Sequence, residues 1–128
     1  MVLFLNEDNV KELITMPLAL EQVERALKDR ALGKATDLPR ARIQTPFGIQ
    51  HVLQASAPEL NTIGFKYYYT AGSGRKSFYI HLLNMKTGLL EAIVEAVWLG
   101  MVRTGAASGV ASKALANPGA SEIGRAHV

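Results

Sequence analysis

"TIGFKYYYT", residues 62–70, is the stretch whose reading decides the fold. Alternation puts Phe65, Tyr67 and Tyr69 on one side of an extended chain and Gly64, Lys66, Tyr68 and Thr70 on the other, which is the period of a β-strand. The same period runs outward through "IQHVLQA" (49–55) and "ARIQT" (41–45) on one side, and "FYIHLLNM" (78–85) and "LLEAIVEA" (89–96) on the other. Turn signals separate these runs at "PFG", "PEL", "AGSG" and "KTG". Connections this short join antiparallel neighbours, so four to five strands in an antiparallel-rich sheet are expected.

Outside the strands the period is helical. Asn6 can cap "EDNVKELI", and Thr15 precedes "MPLALEQVERALKDRALG", with Pro17 near the first helical position and Gly33 placed to end the helix. Leu20, Val23 and Leu27 form one apolar stripe, and Glu21, Glu24, Arg25 and Lys28 face away from it. A long small-residue helix from about Ala96 to Ala116 is stopped by "NPG". Two N-terminal helices, a meander and a C-terminal helix make an α+β fold.

A chain of 128 residues fits one domain that buries roughly two thirds of the surface its unfolded form exposes. Hydrophobic residues at 48% and charged residues at 20% match soluble globular domains. The net charge of +3 is mild and the basic residues are scattered, so no nucleic-acid partner is expected. The absence of cysteine removes disulfides, thiolate nucleophiles and cysteine-bound zinc, and the cytoplasm is the simplest compartment. The apolar start "MVLFL" meets Asn6 after five residues, too short for a signal peptide or a membrane span, so no membrane association is expected.

Gly100, Gly105 and Gly109 each cost a helix about 1 kcal/mol relative to Ala, which close approach of another backbone, side chain or ligand would offset. Thr104, Ser108 and Ser112 share one face of that helix. Arg103 is the sole charged residue between Glu95 and Lys113. Two readings are open for it: a stem that reaches solvent, or a rigidly mounted guanidinium whose fork suits a carboxylate. Lys66 likewise is either an edge-strand lysine that discourages aggregation or an amine among rings with its pKa lowered towards catalytic use. Arg40 and Arg42 point to the same face at the first strand and read as solvated. His51 and His81 lack metal-like spacing and read as structural or surface residues; no metal site is expected. "AGSGRKS" is not a phosphate loop, because no Gly directly precedes Lys76 and the stretch joins strand to strand.

Three segments occur in order: "PRARIQTP", "GFKYY", and "VRTGAASGVASKALA" after "KTGLLEAIVEA". Together they resemble the ornithine cyclodeaminase and mu-crystallin family, which includes archaeal-type alanine dehydrogenases and ketimine reductases. The opening "LNEDNVKELITMPLALEQVERALKDRALGKA" is similar to that family too, so the resemblance covers about residues 3 to 122. It implies a substrate-binding and dimerisation domain over residues 1–122 whose strands join those of a second subunit, making a homodimer. By position it implies that Arg42 and Arg103 hold a substrate carboxylate, and that Lys66 contacts the substrate or moves protons at the reacting carbon. The substrate would be a small amino acid, keto acid or imine.

Two departures from the family pattern stand out. Where ornithine-specific members carry a glutamate for the distal amine, ungapped counting gives Leu53, which implies a small or apolar amino acid or a cyclic imine in place of ornithine. The Rossmann domain that would bind NAD or NADP is also expected to be missing, so no cofactor and no hydride transfer are expected of this fragment. Residues 123–128 translate ATC GGA AGA GCA CAC GTC, which resembles a sequencing adapter; they are expected to be a non-native tail in which Arg125 and His127 carry no function. The alternative to an enzyme fragment is a stand-alone module that binds small carboxylates or assembles without catalysis.

Overall fold

The computed structural model describes residues 1–72, 74 and 76–124, with the Lys76 side chain left out. Its elements in order are β1 (Leu3–Leu5), α1 (Glu7–Leu13), α2 (Met16–Ala31), β2 (Thr36–Asp37), β3 (Ala41–Thr45), β4 (Gly48–Ala57), β5 (Thr62–Ala71), β6 (Lys76–Asn84), β7 (Leu90–Glu95) and α3 (Val97–Leu115). A 3-10 turn, Pro58–Leu60, links β4 to β5. The α+β class and the two N-terminal helices agree with the sequence reading. The expected Arg125 and His127 of the tail, and the Ser73, Arg75 and Lys76 side chains of "AGSGRKS", lie outside the described residues.

The sheet has seven strands where four to five were expected, in the order β1-β7-β6-β5-β4-β2, with β3 also pairing β4. The two additions are the shortest. Leu3–Leu5 pairs in parallel with Ala92–Val94, and Thr36–Asp37 pairs with Ala55 and Ser56 near the far end of β4. Segments of three and two residues have no readable period, and only a long partner strand makes them extended. β5 lies between β4 and β6, so Lys66 is on an interior strand and the edge-strand reading is overturned.

Both predicted caps form: Asn6 accepts from the Asn9 N–H at 2.9 Å and Thr15 from the Leu18 N–H at 3.5 Å. Gly33 follows α2 at φ 72°, the left-handed conformation that suits glycine after a helix. Val10 of α1 packs on Ala92 and Val94, while Ala19 of α2 packs on Val102 and Ala106 of α3. Ile14 and Trp98 touch both clusters and join them.

α2 and α3 run parallel. A Cβ at Gly105 would lie 3.3 Å from Met16 Cε, one at Gly109 would lie 2.7 Å from Leu20 Cδ2, and Lys113 Nζ bonds Glu24 at 3.0 Å. Each step advances four residues on both helices, so two glycines are explained by the approach of α2. The same register explains two departures from the expected stripe. Glu24 sits at the helix seam, and Leu27 is 52% exposed because the residue it would meet, Ala116, is already the C-cap of α3.

Candidate functional site

Cross-strand register sets which side chains share a face. Leu53, Lys66, Ile80 and Val94 line up across β4 to β7, and Arg42, His51, Tyr68 and Phe78 form the neighbouring row on that face. α1 and α3 lie on this side, as Val10 packs on Val94 and Gly100 stands over Lys66. The opposite side presents Phe65, Tyr67, Tyr79 and Phe4 and carries no helix among the described residues.

The third helix glycine has a different partner from the other two. A Cβ at Gly100 would lie 3.3 Å from Lys66 Nζ, so the amine comes up against the α3 backbone. Lys66 Nζ also lies 4.7 Å from the Phe78 ring centroid and 5.9 Å from that of Tyr68. Burial holds the Lys66 amine below the ordinary lysine value, and the charges of Arg103 and then Arg40 press it lower still.

A cavity of about 530 Å³ opens here between β5 and α3, with Arg40, Lys66 and Arg103 in its wall and no carboxylate among its lining residues. Leu53 and Tyr68 help floor it, and Met101 and Thr104 stand on the helix side. The Thr104 hydroxyl is spent on its own helix, donating to the Gly100 carbonyl at 2.7 Å. A second hollow of about 370 Å³, beside Leu38, Phe65 and Leu83, has no ionisable residue in its lining.

Of the three site residues expected from sequence, the fold brings Lys66 and Arg103 together. Arg42 stands on the same face but one row out, opposite His51, exposed and outside the cavity lining. Its place in the wall is taken by Arg40, whose guanidinium carbon lies 5.9 Å from the Tyr68 centroid. Alternation placed Arg40 on the face of Arg42, as found, but the solvated reading fails for Arg40, because α3 closes over that face and makes the cavity whose wall it joins. His51 is buried and stacks on Tyr68 at 4.3 Å, and His81 stacks on Phe65 at 4.6 Å on the opposite face, in line with structural roles.

Sequence reasoning missed Glu7. Ala96, at the N-cap of α3, has no side chain that can accept, and Glu7 replaces it from α1: its carboxylate accepts from the Val97 N–H at 2.7 Å and the Trp98 N–H at 3.0 Å. In return the Glu7 N–H donates to Glu95 at 2.8 Å. A carboxylate at the positive end of α3 thus ties the helix that carries Arg103 to the rest of the fold.

The model of the ornithine cyclodeaminase/mu-crystallin family matches residues 2–125. The chain belongs to this family. Among its curated members, the alanine dehydrogenase of Archaeoglobus fulgidus is 31% identical, over 95% of this chain and 39% of that protein. An archaeal alanine dehydrogenase dimer with bound NAD superposes with a TM-score of 0.84 at 30% identity, over 91% of this chain and 38% of that one. The Δ1-pyrroline-2-carboxylate reductase of Thermococcus litoralis, in complex with NADH and L-proline, gives 0.83 at 30% identity with the same coverage, 91% and 38%. The chain therefore spans about two fifths of the length of the family members it matches.

A dinucleotide does not fit the described residues. Its pyrophosphate needs a glycine-rich turn leading from a strand to a helix with free N–H groups. Here Gly72 and Gly74 fall between antiparallel β5 and β6, and the N–H groups that open α3 after β7 are held by Glu7. No described helix is long and apolar enough to cross a membrane.

Proposed function

We propose that this chain is the substrate-binding and dimerisation portion of a cytoplasmic NAD(P)-dependent amino-acid dehydrogenase, ketimine reductase or cyclodeaminase. The observation that carries this reading is the meeting of Lys66 and Arg103 in one cavity whose lining holds no carboxylate. Like charges facing each other in a half-buried site are unfavourable without a counter-charge, and a substrate carboxylate supplies one.

In this reading Arg103 holds the carboxylate through its fork, steadied on a helix whose N-terminus Glu7 fixes. Arg42, one row away, closes on the same carboxylate from β3. Lys66, its amine made less basic by burial, takes or gives a proton at the reacting carbon. Hydride chemistry would come from a dinucleotide held outside the described residues, and the part of this chain is to bind the substrate and move its proton. Leu53 pairs directly opposite Lys66 and faces the cavity, where it offers nothing to a distal ammonium, so ornithine is disfavoured. A second copy covers the aromatic face around Phe65 and Tyr67, giving the homodimer.

Titration of the chain with pyruvate and L-alanine, followed by NMR of backbone amides, tests the reading. Shifts centred on Lys66, Gly100 and Arg103 are expected, and Arg103→Gln should lose them. Absence of any shift at millimolar ligand, or shifts that survive Arg103→Gln, would refute it.

A further inference from the structure

We infer that the site takes a dicarboxylic amino acid or imine, with Arg40 holding the second carboxylate. This rests on the carboxylate-site reading above and extends it to the class of substrate.

Charge count motivates the inference. The cavity wall carries three cationic side chains, Arg40, Lys66 and Arg103, and no anionic one. Arg40 and Lys66 each stand 5.9 Å from the centroid of the Tyr68 ring, and both arginine charges bear on the Lys66 amine. None of the three forms an ion pair with a carboxylate among the described residues. One carboxylate between Arg103 and Lys66 leaves the Arg40 guanidinium unmatched against the face of Tyr68. A second carboxylate carried on the same ligand would answer it.

Position separates Arg40 from the other two. Arg103 projects from α3 and Lys66 from the middle of β5, whereas Arg40 enters from the segment before β3, across the row of Tyr68 and Phe78. The ligand's reacting carbon would lie by Lys66 and its side chain would extend past Tyr68 to Arg40. Leu53 opposite Lys66 supplies an apolar floor for the methylene between the two acid groups. The same leucine excludes a cationic side chain, so the pocket selects among amino acids by the sign of the distal charge.

The test is calorimetric titration of the intact chain with succinate and with butyrate, an acid of equal chain length and one carboxylate, in 0.15 M salt so that general charge attraction is screened. Succinate is expected to bind at least tenfold more tightly than butyrate. Arg40→Gln should bring that ratio close to one, Arg40→Lys should keep part of it, and Arg103→Gln should weaken both ligands. Arg40 is exposed and precedes the strand, so its replacement leaves the core intact. Equal affinities for the two acids in the parent chain, or a preference that survives Arg40→Gln, would overturn the inference while leaving the carboxylate site standing. If neither acid binds, the carboxylate-site reading itself falls, and this one with it.

Discussion

Replacing Glu7 by alanine removes the carboxylate that caps α3 from a distance of 90 residues in sequence. Two hydrogen bonds to an ionised acceptor are lost, at 2.7 and 3.0 Å. The Val97 end is 41% exposed, so water can replace its partner, whereas the Trp98 N–H is partly buried and is left without one. A hydrogen bond to a charged group contributes about 1.5–3 kcal/mol and the helix-dipole interaction about 0.3–1 kcal/mol. A loss of about 2–3 kcal/mol is therefore expected for Glu7→Ala, and about half of that for Glu7→Gln, which keeps one acceptor oxygen. Urea denaturation followed by far-UV circular dichroism measures it, with an unchanged m-value showing that the folded and unfolded states are otherwise alike. The Glu7 N–H bond to Glu95 survives the substitution, so α1 itself should hold. A Glu7→Ala change within about 0.5 kcal/mol of the parent, the range of an ordinary surface substitution, would show that α3 does not depend on this cap.

Two further outcomes follow from the same geometry. The folded-state pKa of Lys66 lies below its ordinary 10.5, so the folded chain binds fewer protons there than the unfolded one; stability should rise with pH across the window between the lowered value and 10.5, and carboxylate affinity should fall across it as the ammonium is lost. Lys66→Met should flatten both profiles in urea and NMR titrations, and a pH dependence that survives it would assign the effect to another group. At the helix seam, Gly109→Val drives a branched side chain into Leu20, whose Cδ2 would already stand 2.7 Å from a Cβ, and should cost about 2–3 kcal/mol in denaturant titration; a neutral result would mean that α2 does not pack as described.

Much of this protein is legible in its sequence because the deciding signals are local. Period-two alternation from Ala41 to Glu95 marked the five longer strands, and Asn6, Thr15, Pro17, Gly33 and "NPG" marked the helix ends, since caps and breakers act on backbone groups within a few residues. The small-residue helix announced a close approach through its glycine cost alone. What approached was settled by packing: α2 at Gly105 and Gly109, and the Lys66 amine at Gly100. Tertiary structure alone also made strands of Leu3–Leu5 and Thr36–Asp37, placed Lys66 on an interior strand, brought Arg40 into the cavity wall ahead of Arg42, and set Glu7 on the end of α3. Each of these depends on partners far apart in the chain, and the chain's local pattern records which way a side chain points along its own element but not what another element will bring to meet it.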